Sequence, residues 1–254
     1  MNIDQLLKII KETDKIFFEE KLRFDVTKKG DADFATRADY EISDYLHRRL
    51  REEFPDVGFI SEEGDADIDP QRDYWILDPI DGTTNFMHGW SLCCVSLGLY
   101  SGGDFTLGII YVPYTKEFFW AEKGKGAYLN GERIQCSKTD RLCDSLALFE
   151  FNPYFKNDYR AAMDHATRLY AGCQDFRTLG CAALELAYVA CGKADAFLGR
   201  YLKPWDYAAG VCIVREAGGT VGSTDGALSV DRKKQHIVAA NALVYKDFLK
   251  LISQ

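Results

Sequence analysis

Between Trp75 and Phe86 the chain reads WILDPIDGTTNF, an apolar run that stops at Asp78 and is followed by Pro79, a second acid at Asp81, a glycine and two threonines. Pro79 fixes its own backbone angle and biases Asp78 toward an extended conformation, so both carboxylates and the carbonyl of Ile80 can face one space. Hard cations such as magnesium take oxygen donors of this kind and keep waters in the remaining positions. Gly82 and Thr83 would then open a turn or helix whose free N–H groups can hold a phosphate beside the metal. The same residues also suit a helix cap with an Asx turn, and the short segment alone does not separate the two readings.

Two further acids bear on that choice. Glu62 stands in SEEG just after a predicted strand, and Asp206 directly follows Trp205 in KPWDYAAG, at the head of a predicted helix. Each has an ordinary alternative, an exposed loop acid for Glu62 and an N-cap for Asp206. His47, His88, His165 and His236 stand far apart without metal-ligand spacing and are expected in structural or surface roles. Gly102-Gly103 and Gly218-Gly219 read as turns, because neither forms a G-x-G-x-x-G after a strand.

The elements that must position these acids follow from periodicity. Ile3, Leu6, Leu7, Ile10 and Phe17 recur at helical spacing, and a polar stretch, DVTKKGDADFATRAD, separates them from a second amphipathic helix with Ile42, Tyr45, Leu46, Leu50 and Phe54 on one face. Pro55 ends that helix. VGFI and YWIL are expected strands, and the acidic DADIDPQRD between them is expected to be a mobile loop. From Leu92 to Leu129 the apolar runs break at SGGD, PYTK and EKGKG, which predicts an antiparallel meander of four strands. Beyond Ser145, strand and helix patterns alternate through LALFEF, YRAAMDHATRLYAG, QDFRTL, CAALELAYVACG, ADAFLG and WDYAAGVCIVREAGG to IVAAN and a final helix. Two layered subdomains, 1–140 and 141–254, are the expected organisation.

With 254 residues and 47% hydrophobic content the chain is long enough for a sizeable core. Its formal charge is −8 with no basic block, so nucleic-acid binding by general electrostatics is not expected and small molecules or proteins are the expected partners. The N-terminus lacks the layout of a secretion signal, and no apolar run approaches the length of a membrane span. Eight scattered cysteines without a C-x-x-C pair read as reduced core residues, which points to the cytoplasm.

The segments SEEG, WILDPIDGTTNFMHG and KPWDYAAG, in that order, resemble the inositol monophosphatase family of magnesium-dependent, often lithium-sensitive phosphatases. DFATRAD is similar to the family's Asp-x-x-Thr-x-x-Asp segment, GKGAYLNG to a characteristic turn, and EAGG followed by IVAAN to its C-terminal part, so the resemblance covers nearly the whole chain. It implies an α+β fold, a five-layer α-β-α-β-α sandwich of the sugar phosphatase type with the metal site between the subdomains, and usually a homodimer. It implies that Glu62, Asp78 and the Ile80 carbonyl hold one magnesium and that Asp78, Asp81 and Asp206 hold a second, with two or three ions in use. Thr83, oriented by Asp39 and supported by Glu62, would position and deprotonate the attacking water. Gly82 and Thr83 N–H groups would grip the phosphate. Gly180, Cys181, Ala182 and Arg200 would lie on the substrate side, and a lysine of the Lys28-Lys29 pair would face the site, with spacing favouring Lys28.

The implied reaction is hydrolysis of a small phosphorylated polyol or sugar, inositol monophosphate first, and DGTTNF supports that branch. Seven residues before Asp206, inositol-specific members place a glutamate where this chain has Gly199, followed by Arg200. The alternative substrate is therefore more anionic, such as fructose 1,6-bisphosphate or a nucleotide phosphate, with Arg200 meeting the extra charge. A third reading is a magnesium-dependent protein that binds sugar phosphates or a macromolecular partner without turnover.

Overall fold

The computed structural model describes residues 2–30, 33–64, 68–69 and 71–253. The helical spacing at the N-terminus folds as three short helices, α1 (Ile3–Lys11), α2 (Asp14–Phe17) and α3 (Glu20–Phe24). Thr13 interrupts the run, its buried hydroxyl donating to the Ile10 carbonyl at 2.6 Å. The polar stretch that follows contains a hairpin that the sequence pattern does not announce, β1 (Val26–Gly30) against β2 (Asp33–Thr36). It delivers the chain to α4 (Arg37–Glu53), which stops before Pro55 as expected.

The larger sheet holds β3 (Gly58–Ser61), β4 (Tyr74–Asp81), β5 (Cys94–Ser101), β6 (Asp104–Val112), β7 (Glu117–Glu122), β8 (Gly126–Leu129) and β9 (Glu132–Ile134) side by side in that order. Only β3 and β4 pair in parallel there, among the described residues. The expected four-strand meander is β5 to β8, extended by β9. A single-turn helix, α5 (Thr83–Met87), follows β4. DADIDPQRD lies partly outside the described residues.

The smaller sheet is ordered β11-β10-β12-β14-β13, from β10 (Leu146–Glu150), β11 (Asp175–Arg177), β12 (Ala196–Leu202), β13 (Gly219–Ser223) and β14 (Gln235–Asn241). The helices between and after its strands are α6 (Tyr159–Gly172), α7 (Ala182–Ala190), α8 (Pro204–Glu216) and α9 (Tyr245–Ile252).

Strand alternation sorts the apolar side chains into three cores. Trp75 and Leu77 of β4 pack with Leu6, Ile42 and Leu46 of α1 and α4, whereas Tyr74 and Ile76, pointing the other way, pack with α7, α8 and the inner face of the smaller sheet. Phe149, Leu198 and Val238, on that sheet's outer face, pack against α6 and α9. The chain is thus a five-layer α-β-α-β-α sandwich, with α7 and α8 as the middle layer. Every strand of the larger sheet precedes residue 140 and every strand of the smaller follows it, but the middle layer packs on both.

The position of α8 depends on small residues. A Cβ on Gly108 of β6 would lie 2.1 Å from the Ala209 carbonyl oxygen, so the helix lies directly on the sheet only because both surfaces are shaved. All eight cysteines are free thiols, with Cys93, Cys94, Cys173, Cys181 and Cys212 buried and Cys143 exposed. Among the described residues no helix is long and apolar enough to cross a membrane.

Candidate active site

β4 carries its alternation as far as Asp78, which therefore points with Tyr74 and Ile76 toward the middle helices. Pairing with β5 then slips between Asp78 and Asp81, at Pro79, where a proline cannot donate to a ladder. The slip turns Asp81 toward α7: its Oδ2 accepts from the Ala183 N–H at 2.6 Å and from the Cys181 thiol at 3.2 Å. Asp206 sits in the first turn of α8 and accepts from the Lys203 N–H at 2.7 Å. Asp39 occupies the same place in α4, accepting from Thr36 N–H at 2.7 Å and Thr36 hydroxyl at 2.6 Å. Three acids from distant parts of the chain are thus each anchored at a helix N-terminus, where free N–H groups and the helix dipole favour negative charge. Asp206 is not the N-cap that its sequence alternative expected: Lys203 takes that position, and Asp206, three residues on, reaches back to it with one oxygen while its residue lines the cavity.

Glu62, Asp78, Ile80, Asp81 and Asp206 line one cavity of about 560 Å³ between the sheets, together with Gly82, Thr83, Gly180 and Ala182. Burial is the largest influence on every acid of the set. It raises Glu62 from 4.5 to about 7 and Asp81 from 3.8 to about 6, and it holds Asp78 and Asp206 well above the usual carboxylate range. The neighbouring carboxylates add to the shift on Asp78 and Asp206. Asp78 is 2% exposed, and its Oδ1 has no hydrogen-bond partner among the described residues. A buried, unsatisfied carboxylate oxygen amid three other acids is costly unless a cation meets it, and an all-oxygen donor set fits a hard divalent ion.

Cys94 and Cys181 also approach Asp81 closely enough to share a metal with it. Burial pushes both thiols up, so they stay protonated, and Cys181 donates to Asp81.

Thr83 Oγ1 donates to the Ile80 carbonyl at 3.0 Å and stands 3.5 Å from Asp39 Oδ1. Asp39 is fully buried, and burial raises it from 3.8 to about 7 against the Thr36 hydrogen bonds. Gly82, at φ +84°, turns the chain from β4 into α5; a Cβ there would meet the Leu92 carbonyl oxygen at 2.9 Å and that of Gly180 at 3.1 Å. Asn85, which also lines the cavity, ties the turn down by donating to the carbonyls of Leu92 and Leu179 at 2.7 Å each.

Several substrate-side expectations change. Arg200 does not reach the cavity: it is 1% exposed on the outer face of the smaller sheet, where it pairs with Asp158 and His165. Alternation along β12 sets it, with Ala196 and Leu198, on the face away from the middle layer that Phe197 faces, and the register shift after Gly199 is what returns Leu202 to the inner side. Cys181 directs its thiol at Asp81 rather than into the cavity. Lys29, rather than Lys28, reaches the acids, with Nζ 3.0 Å from Glu62 and 2.8 Å from Glu63.

Three residues in the cavity wall gave no sequence signal. Glu150, which closes β10, lines the cavity, as do Lys203 and Lys234. Asn85 could have been read from DGTTNF, since an amide two residues past the turn can reach main-chain carbonyls. None of the histidines lines the cavity: His47 stacks on Phe59, and His165 bonds the Ile252 carbonyl.

A five-layer sandwich with a carboxylate-lined cavity between its sheets, beside a glycine-threonine helix start, defines a phosphoric monoester hydrolase. The chain belongs to the inositol monophosphatase family, whose model matches residues 3–254. It is 37% identical over 234 residues to inositol monophosphatase 1 of Solanum lycopersicum, covering 89% of this chain and 85% of the relative. It is 32% identical over 254 residues to the fructose-1,6-bisphosphatase/inositol-1-monophosphatase of Thermotoga maritima, covering 99% and 96%. Among solved structures, the extragenic suppressor protein suhB of Bartonella henselae superposes with a TM-score of 0.91 at 32% identity, covering 99% and 98% of the two chains.

Proposed function

We propose that the chain hydrolyses a small phosphorylated polyol or sugar, inositol monophosphate first, with magnesium as the working metal and without a covalent phosphoenzyme. The observation that carries this reading is the convergence of Glu62, Asp78, Asp81 and Asp206 on one cavity, with a buried Asp78 oxygen that nothing else satisfies. Glu62, Asp78 and the Ile80 carbonyl would hold one ion, and Asp78, Asp81 and Asp206 a second. Magnesium, when bound, supplies charge neutralisation for the phosphate and a lowered pKa for its water.

The rest is the work of the chain. Gly82 and Thr83 N–H groups face the phosphate oxygens from the start of α5. Thr83 Oγ1 orients the attacking water and accepts its proton while passing its own to Asp39 Oδ1, with Glu62 in support. Lys29 compensates the charge of Glu62 beside the cavity mouth.

A second substrate reading has its own observation. Among the described residues no carboxylate forms an ion pair with Lys156, Lys203 or Lys234, and all three line the same cavity as the acids. They, instead of Arg200, would meet the extra charge of fructose 1,6-bisphosphate or a nucleotide phosphate. The third reading, a sugar-phosphate-binding or interaction protein, draws on the suhB likeness alone. Lithium inhibition accompanies the first reading, as in the staphylococcal inositol monophosphatase solved as a lithium-soaked inhibitory complex at 25% identity. A homodimer and a cytoplasmic location complete it.

Phosphate release from inositol monophosphate, fructose 1,6-bisphosphate and a nucleotide 3′-phosphate tests the three readings at once. Chelation should abolish release and added magnesium should restore it. Full turnover in a metal-free preparation, or binding without release from any ester, would overturn the first reading.

A further inference from the structure

We propose that Glu150 is the specificity-determining residue that accepts hydrogen bonds from the hydroxyl groups of the substrate's polyol or sugar, a role that rests on the phosphatase reading above. Glu150 closes β10 and lines the cavity, yet it lies outside the metal-binding acids and the Thr83–Asp39 pair. It is 9% exposed; its Oε1 accepts from the Asn152 N–H at 3.3 Å, whereas its Oε2 has no partner among the described residues. A carboxylate oxygen that is buried, unpartnered and set in the wall of a cavity loses stability until a donor arrives. Either protonation state of the group leaves an acceptor lone pair for that donor.

The neighbouring strand shows why the acid sits here. Glu150 pairs with Gly199 across β10 and β12, so the two positions face the same layer. A Cβ on Gly199 would lie 2.4 Å from Leu202 Cδ1 and 2.6 Å from Phe197 Cζ, so the side chains of Leu202 and Phe197 fill the space over β12 at that point. The wall next to Glu150 is also held in a costly backbone shape. Asn152 (φ 54°) and Tyr201 (φ 55°) both adopt left-handed conformations, both line the cavity, and the Asn152 amide donates to the Tyr201 carbonyl at 3.1 Å. Strain of this kind persists where the surroundings over-determine it, and Glu150 itself faces inward by alternation with Leu148 on β10. Glu185 of α7 is the nearest competitor for Glu150, being buried with its own unpartnered Oε2, but it does not line the cavity.

A site built to bind a hydroxyl discriminates strongly against an ester that lacks it, because the buried acceptor is then left unpaired. The test compares inositol 1-phosphate with 4-nitrophenyl phosphate, which has no such hydroxyls, in the parent, Glu150→Met and Glu185→Gln; methionine keeps the length of the side chain and removes the oxygen acceptor that glutamine would retain. In Glu150→Met the ratio of kcat/KM for the first ester to that for the second should fall about 10- to 100-fold, mostly through KM, and Glu185→Gln should keep the parent ratio. An unchanged ratio in Glu150→Met, or an equal fall in both variants, overturns the assignment. Calorimetric binding of inositol 1-phosphate and of inorganic phosphate separates this result from failure of the phosphatase reading. If no ester is cleaved, Glu150→Met should still weaken binding of the ester relative to phosphate, and equal losses for both ligands would refute the role.

Discussion

Asp39→Asn should make the metal-free protein more stable at alkaline pH while it cripples catalysis. The parent carboxyl is fully buried, and burial lifts it from 3.8 to about 7. A folded-state value above the unfolded one means that the native protein holds this proton more tightly than the unfolded chain does. Stability therefore falls as pH rises from about 4 to about 7, and the whole penalty is present above that window. At about 1.4 kcal/mol for each pH unit the penalty is at most about 4 kcal/mol. Loss of a first-turn charge in α4 offsets about 0.3–1 kcal/mol of the gain. A net rise of about 1–3 kcal/mol at pH 8, or about 2–10 °C in Tm for a chain of this size, is the expected outcome, with a smaller rise at pH 5.

The variant should fold normally, because an asparagine oxygen can still accept from the Thr36 N–H and hydroxyl, at 2.7 and 2.6 Å in the parent. Its amide would then point a donor at Thr83 Oγ1, so Thr83 could no longer pass a proton on. A fall in kcat of about 10²- to 10⁴-fold is expected, and Thr83→Ala combined with it should be scarcely worse than either change alone. Thermal melts at pH 5 and 8 without metal, together with kinetics in magnesium, decide the matter. A variant less stable than the parent at pH 8 would refute the burial argument, and an unchanged kcat or multiplicative losses would refute the relay.

Magnesium should raise Tm more at pH 8 than at pH 5, because burial raises Glu62 to about 7 and Asp81 to about 6 and the ion must displace their protons at the lower pH; equal shifts in differential scanning calorimetry would count against these acids as ligands. Gly82→Ala should cut kcat/KM at least about 10-fold and destabilise by about 1–2 kcal/mol, since its φ of +84° is left-handed and the Leu92 carbonyl stands 2.9 Å from the new Cβ; parent-like kinetics would show that the turn does not hold the phosphate. Arg200→Leu should lower Tm by about 3–10 °C through loss of the Asp158 and His165 contacts, with KM for every ester unchanged; a raised KM for anionic substrates would return Arg200 to the site.

Much of the site was legible because its parts are local. DPIDGTT encodes a strand end, a proline slip and a left-handed glycine turn within seven residues, and these are set by nearest-neighbour sterics. Thr36 and Asp39 spell a capping box, and Lys203 and Asp206 share its backbone contact, so two of the acids lie at helix starts for reasons visible at a spacing of three. Period-two and period-3.6 patterns likewise announced β4, β10, α4, α6 and α8.

The direction of a side chain across a layer was not legible, because it depends on which strand lies beside which. Arg200 seemed placed for substrate by its distance from Asp206, but alternation on β12 sends it to the α6 side. The choice of Lys29 over Lys28 rests on a two-residue period in a hairpin that polar residues do not reveal. Glu150 and Glu185 look like ordinary surface acids in sequence, and only the closure of the smaller sheet over α7 strips them of water and leaves each with an unpaired oxygen. The sequence alone determined which residues could bind a metal and start a helix, since those properties follow from side-chain chemistry and local backbone sterics. The tertiary structure alone decided which acids share a cavity and which lose their water, since desolvation and mutual repulsion exist only once distant segments are packed together.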